Sequence, residues 1–195
     1  THMYAKYYKS ALDAAEILAK DHEKLLKRVI AWQEVIYQYP GLPGWLADSL
    51  VNILHLIPEC SVWGQAKAPI GSWCKPEDGL FGLNECPRGC AQIECIPCSF
   101  YGNIPIVYFF PECALSTLRG YKAYQLPNGR PPWVFSGRTA QNPDSHVPCG
   151  LARPDPGYQV VLNAACYIVM ADRYWKTTGD DDMLHEFWDS LKRAN

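Results

Sequence analysis

Between Tyr4 and Gln38, apolar and aromatic residues recur at Leu18, Leu25, Val29, Trp32 and Ile36. Those steps stay on one face of a helix, with lysines and glutamates between them, and the same spacing suits a coiled coil. Pro40-Gly41-Leu42-Pro43-Gly44 ends this helix, because neither proline can continue it. A second helix is predicted over Trp45–Ile57, with Leu46, Leu50, Ile53 and Leu54 on one side, which makes a helical hairpin. From Pro58 to Ile96 the pattern breaks into short apolar pieces, Ser61-Val62-Trp63 and Leu80-Phe81-Gly82-Leu83, punctuated by Gly, Pro and Cys. Turns and a small β-hairpin are expected there. Ser99–Phe110 is apolar around Pro105, and Pro111 fits the first position of a helix running Glu112–Gln125.

Leu126–Gly157 is rich in Pro, Gly, Asn and Asp and reads as a long irregular connection, of the kind a domain keeps for function or for a partner surface. The clearest helix is Tyr158–Thr178, with Tyr158, Val161, Leu162, Ala165, Ile168, Val169 and Trp175 as its inward face and Gly179 past its end. Asp180–Asp182 then cap a last helix, Met183–Arg193, striped by Leu184, Phe187, Trp188 and Leu191. The fold class is mainly α.

Composition narrows the partners. The chain has 195 residues, one domain's worth, and a net charge of -2, without the cationic excess that nucleic acid or an anionic membrane demands. Its longest apolar stretch, near Ile106–Phe110, is far shorter than the ~20 residues of a membrane span. Nine cysteines cannot all pair internally, and no apolar leader follows Thr1-His2-Met3, so the thiols are expected to be mostly reduced and the compartment cytoplasmic. Thr1-His2-Met3 itself reads as a cloning remnant. Aromatic residues make up 13%, and such amphipathic rings suit a wet, sugar-like ligand as well as packing.

Three sets of residues carry candidate chemistry. Cys86, Cys90, Cys95 and Cys98 have a spacing that a zinc ion or iron–sulfur cluster uses, but only Cys95 and Cys98 form a tight C-x2-C knuckle, so plain thiols are the preferred reading and no metal is expected. Glu59, Glu85, Glu94, Asp144 and Asp155 are carboxylates in irregular segments, and two carboxyl groups are the minimum for cleaving a glycosidic bond. Asp144-Ser145-His146 is too tightly clustered in sequence to form a nucleophile–base–orienter chain. Trp63, Trp73 and Trp133 stand beside Gly and Pro, positions from which indoles stack on sugar rings or plug a core beneath long loops.

Leu80-Phe81-Gly82-Leu83-Asn84-Glu85-Cys86-Pro87, then Phe100-Tyr101-Gly102-Asn103-Ile104-Pro105-Ile106 and Tyr108-Phe109-Phe110-Pro111-Glu112, resemble the catalytic domain of family 116 glycoside hydrolases. That family includes non-lysosomal glucosylceramidases and microbial β-glucosidases. Leu42–Asn52 upstream, and Val161-Leu162-Asn163 and Asp172–Asp180 downstream, are similar to the helices flanking those motifs, so the resemblance runs from about Trp45 to Asn195. It implies an (α/α)6 barrel, cleavage of β-linked glucosides with retention, and no cofactor. It also implies that Glu85 is the nucleophile and His146 a substrate contact. Where the family often carries an aspartate before the Phe-Tyr segment, this chain has Ile96-Pro97-Cys98, with Glu94 the nearest acid.

No residue matches the family's acid/base motif, so Glu94, Asp144 or Asp155 would have to stand in for it. Residues 1–195 are thus expected to be the N-terminal half of an (α/α)6 catalytic domain. The expected substrate-binding set is His146, Asp144, Trp63 and Trp133, around a β-glucoside or oligosaccharide. The alternatives are a non-catalytic helical carbohydrate-binding or interaction domain and a Cys-rich metal module. Apolar faces lacking their barrel neighbours would make the chain a homo-oligomer.

Overall fold

A computed structural model describes residues 2–66, 71–86, 90–134 and 160–195. It is mainly helical and divides into two compact units, Thr1–His55 and Leu56–Asn195. No helix among the described residues is long and apolar enough to cross a membrane.

The first unit holds a one-turn helix α1 (Tyr4–Tyr7), the long α2 (Ala11–Tyr37) and α3 (Gly44–Asn52). Ser10 caps α2, its hydroxyl accepting from the Asp13 backbone N–H at 3.0 Å while the Asp13 carboxylate accepts from Lys9 N–H at 2.9 Å. The first of these satisfies an orphan donor at the helix start, and the second ties the residue before the cap to the first turn. The 27 residues of α2 make a rod of about 40 Å. α3 packs on α2, and the Tyr37 hydroxyl donates to Asp48 Oδ1 at 3.0 Å. The second helix is shorter than expected. After Asn52 a 3-10 turn, Ile53–His55, takes over, where the spacing predicts one continuous helix over Trp45–Ile57. The expected packing face of α2 is also largely uncovered. Only Ile36 is buried, while Leu18, Leu25 and Val29 are 56%, 37% and 49% exposed.

In the second unit a short helix α4 (Leu56–Cys60) feeds a three-stranded antiparallel sheet, order β1-β2-β3, of β1 (Ser61–Gly64), β2 (Leu80–Cys86) and β3 (Cys90–Ile93). The register sets Trp63 opposite Phe81 and Ser61 opposite Leu83, and a bulge interrupts the β2–β3 ladder between Asn84 and Cys86. β2 contains Gly82 because any side chain there would collide with its neighbour: a Cβ would lie 2.6 Å from Ile93 Cγ2.

Helices α5 (Ile96–Phe109), α6 (Pro111–Ala123), α7 (Val160–Thr178) and α8 (Asp181–Ala194) complete the unit. Their core gathers Phe81 and Leu83 of β2, Ile96 and Ile106 of α5, Leu118 and Tyr121 of α6, Tyr167 and Met170 of α7, and Met183 and Phe187 of α8. A polar clasp ties α6 to α8. Arg119 holds Glu186 with Nη2–Oε2 at 2.8 Å, and Lys122 Nζ donates to the Glu186 carbonyl at 2.8 Å. Gln125 donates to the Ser190 carbonyl at 2.9 Å and accepts from the Ser190 hydroxyl at 2.9 Å.

Two packing expectations need correction. The inward stripe of α7 is Asn163, Cys166, Tyr167, Met170, Ala171 and Tyr174, not Leu162, Ala165 and Val169, which face outward, with Ile168 and Trp175 half-buried. Both stripes have helical spacing. The buried one carries polar atoms that find partners in the fold: the Tyr167 hydroxyl meets Ser190 Oγ at 2.8 Å, and Asn163 Nδ2 donates to the Pro131 carbonyl at 3.4 Å. On α8, Phe187 is buried as expected and Trp188 is 59% exposed. Helix count and order agree with a mainly α chain, and β3 adds a strand to the expected hairpin.

The turn after α6 supplies a test of this packing. Gly129, at φ +87°, sits so close to the end of α8 that a Cβ would fall 1.8 Å from the Arg193 carbonyl oxygen. Gly129→Ala is expected to destabilise by about 2–4 kcal/mol through strain and steric displacement. Gly44→Ala, at a helix start with nothing within 4 Å of its Cβ, is expected to be neutral or slightly stabilising. Denaturant titration checks both, and equal midpoints for the two variants would refute the packing.

Candidate functional site

Glu94 lies where β3 turns into α5, and its backbone is held at φ 55°, in the left-handed region. Its side chain is fully buried. Oε1 accepts from the Leu83 backbone N–H at 2.7 Å and from the Thr117 hydroxyl at 3.0 Å, and Oε2 meets the Ser99 hydroxyl at 2.5 Å. The backbone joins in: Glu94 N–H donates to the Leu83 carbonyl at 2.8 Å, and the Tyr121 hydroxyl donates to the Glu94 carbonyl at 2.9 Å. One residue therefore ties β2, α5 and α6 together. Burial pushes its carboxyl up to about 7, against the opposing pull of the hydrogen bonds from Ser99, Leu83 and Thr117.

A cavity of about 610 Å³ opens between the β1–β2 connection and the neighbouring helices α5 and α6. Trp63 comes to it from β1, Trp73, Cys74, Lys75, Glu77 and Asp78 from the connection, Phe81 from β2, and Glu112, Cys113, Ser116 and Arg119 from α6. Trp63 is half exposed, and its Nε1 donates to the Asp78 carbonyl at 2.8 Å, which pins the connection against the strand. Trp73 is set edge-on to Tyr124, ring centroids 4.9 Å apart. The Cys74 thiol lies 3.6 Å from Ser116 Oγ, and burial raises its pKa. Burial likewise pushes the Cys113 thiol up to about 12, so both sulfurs stay protonated and unreactive near neutral pH. Burial by itself would raise the Glu186 carboxyl, but the hydrogen bonds and charges of Arg119 and Lys122 more than reverse this and lower it. Arg119 is thus anchored by its ion pair at the cavity edge.

The expected site residues fall in different places. Trp63 and Trp73 are brought together on the cavity. Trp133 is not with them: it is half-buried and packs against both buried clusters, and its carbonyl accepts from Ile96 N–H at 2.9 Å, so it plugs the core. Glu85 is a residue of β2 four positions beyond Phe81, roughly 13 Å along the strand at ~3.3 Å per residue. Glu94 is enclosed, with neither oxygen open to a substrate. That is the geometry of a structural anchor rather than of the stand-in acid.

Asp144, His146 and Asp155 lie outside the described residues. Of the cysteine quartet, Cys95 is buried and Cys98 exposed, and with Cys60 they line a small cavity of about 140 Å³. No group of three metal-ligating side chains occurs among the described residues. Glu77, Asp78, Glu112 and Arg119 were missed from sequence. The cue was the polar turn Lys75-Pro76-Glu77-Asp78-Gly79 directly after Trp73. No protein-family model matches this chain, and no curated protein matches it.

The Glu94 anchor makes stability depend on pH. The unfolded carboxyl ionises at its ordinary 4.5 and the folded one at about 7, so between these values the folded state holds the extra proton. Unfolding free energy therefore falls as pH rises through that window, by on the order of 3 kcal/mol. Glu94→Gln keeps the shape and the acceptor toward Leu83 and Thr117 and is expected to flatten that slope. Glu94→Ala strands three donors and is expected to cost about 3 kcal/mol or more at pH 6. Urea unfolding from pH 4.5 to 8 reads both, and an unchanged slope in Glu94→Gln would contradict the assignment.

Proposed function

We propose that this chain is part of a glycoside hydrolase that cleaves β-linked glucosides with retention, with Glu85 as its nucleophile and its helices contributing one half of an (α/α)6 barrel. The reading is supported by the shared order of the Leu80–Pro87, Phe100–Ile106 and Tyr108–Glu112 motifs with family 116 glycoside hydrolases. The observation that carries the carbohydrate assignment is the convergence of two indoles, Trp63 and Trp73, with the carboxylates of Glu77, Asp78 and Glu112 on one cavity of about 610 Å³. Flat apolar faces ringed by hydrogen-bonding acids match the two chemistries of a pyranose, its C–H face and its equatorial hydroxyls. Retention requires the nucleophile to lie about 5–5.5 Å from an acid that protonates the leaving oxygen. No cofactor is needed for that reaction.

A second reading, a non-catalytic carbohydrate-binding domain, is favoured by the distance along β2 between Phe81, at the tryptophan cavity, and Glu85. The two readings part on covalent chemistry. A mechanism-based glucoside inhibitor is expected to label the peptide carrying Glu85 and to leave Glu85→Gln unlabelled, while hydrolysis of an aryl β-glucoside is weak in the wild type and lost in that variant. Cellobiose is expected to bind with a dissociation constant on the order of mM, as for a ligand only partly desolvated, and about tenfold more weakly in Trp63→Ala. Sugar binding without any adduct selects the binding domain. Turnover unchanged in Glu85→Gln would rule out Glu85 as nucleophile.

A further inference from the structure

Helix α2 keeps in solvent a seam that is apolar but for His22. Ala15, Leu18, His22, Leu25, Val29 and Trp32 follow each other in steps of 3, 4, 3, 4 and 3, which is the heptad seam of a coiled coil, and over these residues only Trp32 is even half-buried. A seam of this length runs about 27 Å. Leu12, Ile17, Leu26, Ile30 and Val35 of the same helix are exposed as well, but they lie outside this 3-4 series and form no heptad repeat of their own.

The side-chain sizes along the seam choose an occupant. Laid antiparallel on a second copy of itself, with the dyad between Glu23 and Lys24, the seam places Ala15 on the second copy's Trp32, Leu18 on its Val29 and His22 on its Leu25, and each layer then recurs by symmetry. The smallest residue meets the largest, which holds layer volume nearly constant along the seam, as close packing demands. A parallel pair would instead stack Ala15 on Ala15 and Trp32 on Trp32, leaving a void at one end and a clash at the other. The flanking charges agree. In the antiparallel register Asp21 lies beside Arg28 of the second copy, twice by symmetry, whereas a parallel pair sets Asp21 beside Leu26 and Arg28 beside Gln33. Neither Asp21 nor Arg28 is held in an ion pair among the described residues.

We infer that α2 is a self-association surface, through which two copies of this chain pair as an antiparallel two-helix coiled coil. The inference stands apart from the glycosidase reading, since it uses no residue of the cavity or of β2.

Sedimentation equilibrium of the full chain across the micromolar range tests it. The wild type is expected to sediment as a dimer. Leu18→Glu, at an exposed position where helix content should be unchanged by circular dichroism, is expected to be monomeric, because each dimer would carry the carboxylate in two layers. Asp21→Arg sets two cations together at each flank and is expected to weaken the dimer about tenfold, and adding Arg28→Asp is expected to restore it. A monomer throughout, a dimer that survives Leu18→Glu, or a double charge swap that fails to restore association would each overturn the proposal.

Discussion

The second unit is built around one buried carboxyl. Glu94 accepts from a backbone donor on β2 and a hydroxyl on each of α5 and α6, and it has no contact with water. Burying an ionised carboxylate without a cation beside it is prohibitive, so burial pushes this carboxyl up to about 7, and both of its oxygens have hydrogen-bond partners. The surrounding sequence conforms to this demand. Gly82 leaves room for Ile93 and for the carboxyl, Ser99 and Thr117 supply hydroxyls from the inner faces of their helices, and Tyr121 closes the backbone side. The residue also adopts a left-handed φ, a strain that this many bonds can sustain.

That anchor fixes β2, and β2 in turn distributes the candidate chemistry. The strand passes Phe81 to the tryptophan cavity at one end and carries Glu85 toward the other. Under the proposed glycosidase reading, Glu85 and the aromatic, acid-lined cavity lie toward opposite ends of the same strand.

The sequence made the helices legible where hydrophobic spacing was unambiguous and a cap or breaker marked the end, as with Asp180, whose side chain accepts from Met183 N–H at 3.0 Å, and the Pro40–Gly44 break. It misled where two stripes competed. On α7 the aliphatic stripe of Leu162 and Val169 looked better buried than the stripe containing Asn163, Tyr167 and Tyr174, because spacing says nothing of the hydrogen-bond partners that make polar residues welcome in a core. Glu94 was singled out as chemically special, and it is, but as an anchor: a glutamate's burial depends on Leu83, Ser99 and Thr117, which local pattern does not reveal. The cavity is not legible in local pattern because its acids come from a turn and from the first turn of α6, segments far apart in sequence that meet where α6 packs on β2.

The claim on which this account rests is that Glu94 is an enclosed, proton-holding anchor. Carbon-13 NMR of the glutamate side-chain carboxyls, with Glu94 assigned by its absence in Glu94→Gln, measures it directly. One resonance is expected to titrate with a midpoint of about 7, well apart from the exposed glutamates. A Glu94 midpoint in the ordinary range, near 4.5, would mean a solvated carboxylate and would contradict the account.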